Sequence, residues 1–218
     1  MRDLDALYRH RFSRGEVAAK AGVWKALCEG FLQRWIGPDA VVLELACGHG
    51  EFLRFVRAGR KIAVDLNPDV SGFLGPDVEF HLGDASRLDF LDASSIDVCF
   101  VSNFFEHLPS KSVMDEVLAG IHRVLKPGGR LLALQPNIRY EPGRYWDFYD
   151  HHLPLSHLSC AEAFAKSNFA VERVIPKFMP FSTKSRLPKS AFLVKAYLRA
   201  PILWRIFGRQ FFIVGKKS

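Results

Sequence analysis

Several features are missing from this chain of 218 residues, and each absence excludes a class of protein. There is no run of roughly 18 apolar residues, so no conventional transmembrane helix is expected. The charged N-terminal stretch has no apolar core of the kind that signal peptides carry, and we therefore expect a cytoplasmic location. The four cysteines are widely spaced and form no CxxC pair, which predicts reduced thiols rather than a disulfide framework.

Acidic residues are missing from one whole region. From Lys177 to Ser218 the chain has ten lysines and arginines and no acid. The positive charge of this region therefore exceeds the net charge of +7 of the whole chain. Apolar side chains, Trp204 among them, alternate with these basic residues. This pattern is typical of a membrane interface or of a contact with an anionic lipid-linked substrate, and polyanion binding is a less favoured use of the same charge. Alternatively, the apolar positions pack on the sheet and leave a solvated basic face.

The most informative motif is the run VVLELACGHGEF from Val41 to Phe52. An apolar run that breaks into small residues and resumes with helical spacing predicts a buried strand, a tight turn and a helix. Gly48 and Gly50 lack a Cβ, so a ligand can lie directly against the main chain. Asp65 ends the next apolar run and can accept two hydrogen bonds from the hydroxyls of a ribose.

The same loop lacks the features of a phosphate-binding loop. The turn from Ala46 to Gly50 reads ACGHG, with neither a GxGxxG pattern nor the lysine of a GxxxxGK[ST] loop. Glu44 stands before it, a carboxylate within an apolar strand, and suits a cationic group. These features favour a ribosyl ligand with positive charge, as in S-adenosylmethionine, over NAD or ATP.

Three later motifs follow in order: LGDA, containing Gly83, Asp84 and Ala85; IDVCFVSNFFEHL; and VLKPGGRLLAL. With the first motif and Asp65 they span roughly Ala40 to Leu134, and in this order the chain resembles the class I S-adenosylmethionine-dependent methyltransferases of the type 11 group. The resemblance implies an α/β, Rossmann-like fold with a seven-stranded, mostly parallel sheet flanked by helices. The implied strand order is 3-2-1-4-5-7-6, with strand 7 antiparallel.

The cofactor S-adenosyl-L-methionine is expected to bind at the strand ends and the loops that follow them. The expected residues are Glu44, Ala46, Cys47, Gly48, Gly50, Asp65, Leu66, Asp84, Ala85, Ser102, Asn103 and His107. One departure from the family pattern is Ala46, which stands where the family usually has its first glycine.

We expect a single methyltransferase domain over residues 1–218. Its parts are an N-terminal helical cap (1–38), a cofactor-binding half (39–135), and an acceptor loop with C-terminal strands and a basic apolar segment (136–218). Strands are predicted at Val41–Leu45, Lys61–Val64, Val78–Leu82, Ile96–Val101, Arg130–Gln135, Ala170–Phe178 and Gln210–Val214, and helices at Glu16–Ile36, Glu51–Ala58, Lys111–Leu125 and Ala161–Lys166.

Acceptor residues are expected in the aromatic loop from Gln135 to Ser159, which is too long for a simple connection. Aromatic rings mixed with arginines and histidines suit a sugar or another polyhydroxyl acceptor, although the same rings would serve in a lid over the cofactor. The expected substrate-binding residues are Tyr140, Arg144, Tyr145, Trp146 and His157. The expected catalytic residues are His107, Asp150, His151 and His152; alternatively, Glu106 and His107 brace the following helix.

No metal is expected. Small-RNA 2′-O-methyltransferases place ExxEH at the strand-four exit and add a later histidine to bind a divalent metal. Here Glu106 and His107 match, and His151 or His152 is placed to join them, but Asn103 stands at the position of the first glutamate. Losing that carboxylate weakens the case for Mg²⁺.

The predicted activity is O-methylation of a small molecule, a sugar or a lipid-linked glycan precursor, with membrane-surface contact through the basic C-terminus. Two alternatives remain open. RNA 2′-O-methylation fits the basic charge, but the chain has no RNA-binding module of the RRM type. A non-catalytic module that keeps the cofactor as a structural ligand is disfavoured by the intact pair Glu44 and Asp65.

Overall fold

The computed structural model describes residues 14–180 and 191–218, and a sheet of seven strands runs through the middle of them. The strands are β1 (Val41–Leu45), β2 (Arg60–Asp65), β3 (Val78–Leu82), β4 (Ile96–Ser102), β5 (Leu125–Pro136), β6 (Phe169–Ile175) and β7 (Gln210–Lys217). Their order is β3-β2-β1-β4-β5-β7-β6. β7 runs antiparallel to β5 and β6, whereas every other neighbouring pair is parallel, so the predicted topology is confirmed.

Helices cover both faces of this sheet. In the described ranges the α-helices are α1 (Arg14–Gly30), α2 (Glu51–Phe55), α3 (Lys111–Val124), α4 (His157–Lys166), α5 (Ala191–Arg199) and α6 (Pro201–Phe207). The start of α3 is fixed by the side chain of Ser110, which accepts a hydrogen bond from the Val113 amide. A capping box between Ser156 and Ser159 starts α4.

The face covered by α3 and α4 forms the larger of two hydrophobic clusters. Apolar side chains of α3 recur every three or four residues, which places them on one stripe against the sheet. They are Met114, Val117, Leu118 and Ile121, all buried. Alternate residues of the central strands, such as Leu43 and Leu45, point into the same cluster.

The opposite face is covered by α1, α2 and the two C-terminal helices. Phe31 is the centre of this cluster, with ring centroids 4.3 Å from Phe178, 5.1 Å from Phe212 and 6.0 Å from Trp204. Leu198 of α5 packs within the same cluster. In the described part of the basic segment, the apolar side chains therefore divide between this core and an exposed outer face.

Several element boundaries differ from those predicted. β5 begins at Leu125, directly after α3, rather than at Arg130, because Leu125 already pairs with Ile96 before the register shifts. α2 ends at Phe55, α4 begins at His157, and β6 ends at Ile175. The four cysteines are free and buried, in agreement with the expectation of reduced thiols.

No helix among residues 14–180 and 191–218 is long and apolar enough to cross a membrane. The first 13 residues of the expected N-terminal cap, and residues 181–190 of the basic segment, lie outside the described residues.

Candidate active site

The loop after β1 has the backbone that its sequence predicts. Ala46, Gly48 and Gly50 have φ angles of 52°, 54° and 65°, in the left-handed region that favours glycine. A Cβ atom added to Gly48 would meet no heavy atom within 4 Å, so the main chain there faces open space. A ligand can therefore lie directly against this backbone, as the motif requires.

Glu44 is the unusual residue of this site, a carboxyl that is 4% exposed within a parallel strand. Its Oε2 atom has no hydrogen-bond partner among the described residues. Burial raises the pKa of Glu44 well above its ordinary value, and the charges of Glu51 and Asp65 raise it further. A backbone hydrogen bond from Leu53 and the charge of Lys20 lower the pKa but do not outweigh burial, so the carboxylate form favours a positively charged ligand group.

Asp65, at the end of β2, connects the first two loops. Its Oδ2 atom accepts a hydrogen bond of 2.9 Å from the Gly48 amide, and its Oδ1 atom accepts one of 2.9 Å from the Asn67 amide. Each oxygen keeps a second lone pair, so the carboxylate can also accept hydrogen bonds from two ribose hydroxyls. The chain holds the acid in place from both sides.

The remaining expected cofactor residues follow neighbouring strand ends. Leu66 is largely exposed beside Asp65, Cys47 and Ala85 are buried, and Asp84 accepts hydrogen bonds from the amide and hydroxyl of Ser86. Ser102 ends β4 and accepts a hydrogen bond of 3.2 Å from the Asn103 side chain.

Asn103 takes a left-handed backbone conformation, with φ of 47°. Two glutamines that belong to no predicted site hold this turn: Gln135 accepts a hydrogen bond from the Phe104 amide, and Gln210 donates one to Asn103. The sequence gives only a weak indication of this role, because each residue is simply a glutamine at one end of an apolar strand.

A second group of polar side chains lies just beyond this turn. The Nδ1 atom of His107 is 2.9 Å from the carbonyl oxygen of Asp150 and 3.3 Å from its carboxylate, and the His107 ring lies 5.0 Å from that of His151. Glu106 completes the group, with Oε1 4.0 Å from the His107 Nε2 atom. Three of the expected catalytic residues thus converge at the exit of β4.

Glu106 is buried beneath the two imidazoles. Burial, with the charge of Asp150, raises the pKa of Glu106 to about 8, and its Oε2 atom has no hydrogen-bond partner among the described residues. The ligand atoms of Glu106, His107 and His151 lie within 4.8 Å of one another, which is close enough to hold a cation.

His152 and Tyr145 are placed differently from this group. The side chain of His152 is exposed, and its amide donates to the Glu106 carbonyl oxygen. Tyr145 is fully buried, and its hydroxyl donates a hydrogen bond of 2.6 Å to the Leu153 carbonyl oxygen. Tyr145 therefore braces the loop from the inside, and an acceptor contact through this residue stays a prediction.

The other expected acceptor residues divide into two sets. Arg144 and Trp146 are exposed on a 3-10 turn, Arg144–Asp147. Tyr140 stacks on His157, with ring centroids 5.9 Å apart, and the His157 Nδ1 atom lies 3.0 Å from the Asn137 amide nitrogen. Burial and the nearby Arg139 lower the pKa of His157, which favours its neutral form.

The sheet topology agrees with that of class I S-adenosylmethionine-dependent methyltransferases, and a domain of this kind uses S-adenosylmethionine as its cofactor. Residues 43–133 match the type 11 family model, which is described as a methyltransferase domain. A search of curated proteins finds no match.

Solved structures share the fold. A SAM-dependent methyltransferase from Archaeoglobus fulgidus is 20% identical, with a TM-score of 0.66 over 88% of this chain and 92% of that one. The geranyl diphosphate C-methyltransferase of Streptomyces coelicolor A3(2), solved with Mg²⁺, geranyl diphosphate and S-adenosyl-L-homocysteine, is 15% identical, with a TM-score of 0.62 over 88% and 80%. An S-adenosylmethionine-dependent methyltransferase from Mesorhizobium loti is 16% identical, with a TM-score of 0.60 over 84% and 93%.

Proposed function

We propose that the protein transfers the methyl group of S-adenosylmethionine to a hydroxyl oxygen of a sugar or a lipid-linked glycan precursor. The observation that carries this proposal is the position of His107. It follows β4, the strand next to β1, and parallel strands bind their ligands at this edge of the sheet. This position supports His107 as a base beside the loop that we expect to bind the methyl donor.

The hydrogen bond of His107 determines which nitrogen acts. When Nδ1–H donates to the Asp150 carbonyl oxygen, the lone pair of the neutral ring is on Nε2. Nε2 takes the proton of the acceptor hydroxyl while the oxygen attacks the methyl carbon. The new carbon–oxygen bond forms as the sulfur–carbon bond breaks, giving a methyl ether and S-adenosylhomocysteine. The Asp150 carboxylate, 3.3 Å from Nδ1, stabilises the imidazolium that results.

The acceptor loop supports a polyhydroxyl substrate. Exposed Trp146 offers a ring face for the apolar side of a sugar, and Arg144 on the same turn offers donors for its hydroxyls. Tyr140 and His157 form a stacked wall at the other end of the loop. These groups can bind and orient an acceptor without taking part in proton transfer.

We further propose that the outer face of α5 and α6 rests on an anionic membrane surface, which would present a lipid-linked acceptor to the loop. Phe192, Ile202 and Ile206 are exposed there, at 79%, 62% and 54%. Arg199 and Arg205 lie on the same helices and suit anionic headgroups. Flotation with anionic and neutral vesicles tests this contact. Protein recovery in the floating fraction that does not depend on the presence of lipid would contradict it.

Turnover with isotopically labelled S-adenosylmethionine tests the proposed activity. The acceptor panel comprises nucleotide sugars, lipid-linked sugars, quinols and RNA, and S-adenosylhomocysteine release is measured for each. We expect transfer to a sugar hydroxyl and a loss of about 100-fold or more in kcat for His107→Gln, because glutamine cannot take the proton of the hydroxyl. Transfer to RNA alone would replace the proposal, and cofactor binding without any turnover would support a binding module.

A further inference from the structure

Two adjoining cavities open beside the edge strand β6, with volumes of about 420 and 310 Å³. They share the lining residues Arg173, Ile175 and Trp204, and we call the two cavities together the β6 groove. Its larger end reaches Tyr140 and Lys177.

The charges that line this groove all have one sign. The basic residues are Arg34, Arg173, Lys177 and Arg205, and no acidic residue of the described ranges lines it. The side chains of Arg173 and Arg205 make neither an ion pair nor a hydrogen bond with any residue that the structure describes. Their guanidinium groups are therefore available to an anion.

Two nearby arginines, in contrast, form ion pairs with carboxylates. Arg130 pairs with Glu172 at 2.7 Å, and Arg209 pairs with Glu141 at 2.8 Å. Glu172 also lies 3.9 Å from Lys216, so it is already shared between two cations. The positive charge of the groove thus remains uncompensated although carboxylates occur close by.

Other donors in the groove are held in fixed positions. The Lys177 ammonium lies 4.5 Å from the centre of the Tyr140 ring and donates a hydrogen bond of 3.1 Å to the Arg205 carbonyl oxygen. One of its protons is used in that bond, which leaves others for a ligand. The indole N–H of Trp35, on the wall of the smaller cavity, is a buried donor with no acceptor among the described residues.

The groove adjoins the acceptor loop. β5 and β6 both run antiparallel to β7, so their carboxyl ends lie at the same edge of the sheet. The Asn137 side chain, after β5, donates a hydrogen bond of 2.8 Å to the Pro176 carbonyl oxygen, after β6. Tyr140 belongs both to the groove and to the stacked pair with His157. An acceptor in the loop can therefore extend into the groove.

We propose that the β6 groove binds a phosphate or diphosphate group of the methyl acceptor. This inference rests on the proposed function for the acceptor, while the anion site itself depends only on the groove. Guanidinium groups bind phosphate oxygens through two parallel hydrogen bonds, and Arg173 and Arg205 face the cavity from two different elements. Beyond Arg205, exposed Ile202 and Ile206 of α6 provide an apolar surface for a lipid chain on the diphosphate.

Calorimetry with inorganic pyrophosphate and inorganic phosphate tests the site without any methyl transfer. We expect binding that weakens as salt increases, and a loss of at least about 10-fold in affinity for the double variant R173Q/R205Q. Arg57→Gln is the matched control, since this exposed arginine lies between α2 and β2, outside the groove and outside the proposed membrane contact. Unchanged cofactor affinity and melting temperature will show that the double variant is folded. No pyrophosphate binding, or equal binding by both variants, would overturn the proposal.

The source of the phosphate is distinguished by two acceptors of the same chemistry, a nucleoside diphosphate sugar in solution and a lipid diphosphate sugar in vesicles. If activity on one of these acceptors falls in R173Q/R205Q but not in Arg57→Gln, the result supports the groove and identifies its occupant. Pyrophosphate binding without turnover on any acceptor would count against the proposed function alone. Equal turnover by wild type and R173Q/R205Q on both acceptors would count against the groove alone.

Discussion

The side-chain amide of Gln210 donates a hydrogen bond of 2.5 Å to the Oδ1 atom of Asn103, 107 residues away in the chain. Gln210 is the first residue of β7, and Asn103 directly follows β4. The bond contacts an asparagine that has a left-handed conformation and that we expect to lie at the edge of the cofactor site. The start of β7 thus holds the loop that follows β4.

Gln210→Leu removes this bond, and we expect cofactor affinity to fall by about 5- to 10-fold, which corresponds to about 1 kcal/mol for one neutral hydrogen bond. The loss arises because the turn after Ser102 is no longer held. Calorimetry with S-adenosylhomocysteine measures it. An affinity equal to that of the wild type would mean that Asn103 is positioned by its backbone alone.

Asp65→Asn keeps the shape of the side chain but removes its charge and one acceptor. We expect cofactor affinity to fall by roughly 30- to 150-fold, about 2 to 3 kcal/mol. The ribose hydroxyls lose a charged acceptor, and one oxygen of the carboxylate no longer remains to accept from the Gly48 or the Asn67 amide. Asp69→Asn, at an exposed position in the following turn, is the control. Comparable affinity for the two variants would refute the pocket assignment.

Glu44→Gln should stabilise the ligand-free protein at high pH while weakening cofactor binding. Burial raises the pKa of Glu44, so its stabilising contribution is fully present below the ordinary carboxyl pKa and is lost as pH rises through the folded-state value. Glutamine cannot ionise and escapes that loss. Urea unfolding at pH 5 and pH 8 compares the two proteins, and the free-energy difference should shift in favour of Glu44→Gln at pH 8. A difference that does not change with pH would show that Glu44 is not protonated in the fold.

Trp204→Ala should lower the free energy of unfolding by about 3 to 5 kcal/mol, because a buried ring in contact with Phe31 and Phe178 leaves a cavity. Ile202→Ala, on the exposed side of the same helix, should change it by no more than about 0.5 kcal/mol. Urea denaturation of the pair establishes which face of α6 belongs to the core. Equal effects would mean that the helix does not pack as described.

Exhaustive chelation should leave methyl transfer unchanged. Although Glu106, His107 and His151 could hold a cation, burial raises the pKa of Glu106 to about 8, which keeps it largely protonated at neutral pH. Turnover is compared before and after treatment with a chelator. A fall that added Mn²⁺ or Mg²⁺ restores would show that these three residues form a metal site.

The sequence was sufficient to predict the strand order and the glycine loop, because the motifs are local and the resemblance supplied the topology. The acids Glu44 and Asp65 could be proposed as cofactor-binding residues for the same reason, since each stands at a fixed place relative to an apolar strand. Boundaries were less predictable. The start of β5 at Leu125 depends on pairing with Ile96, which no local pattern reveals.

Parts of the acceptor site depended on tertiary contacts. Tyr145 resembled its exposed neighbour Trp146 in sequence, yet the hydrogen bonds of its hydroxyl with Leu153 and Leu155 place it in the interior. Arg173 lies in a strand and carried no motif, so its place in the groove follows only from the position of α6 beside β6. Contacts between elements that are distant in the sequence, rather than residue type, determine where these two side chains lie.

The place of β7 between β5 and β6 also constrains how the protein can fold. β5 and β6 do not pair with each other, and the strand that joins them is synthesised after both. Until β7 inserts, both strands present open edges whose amides and carbonyls can pair with other chains. We therefore expect the C-terminal part of the sheet to form late, through contacts of high sequence separation, and to be the region where destabilised variants aggregate.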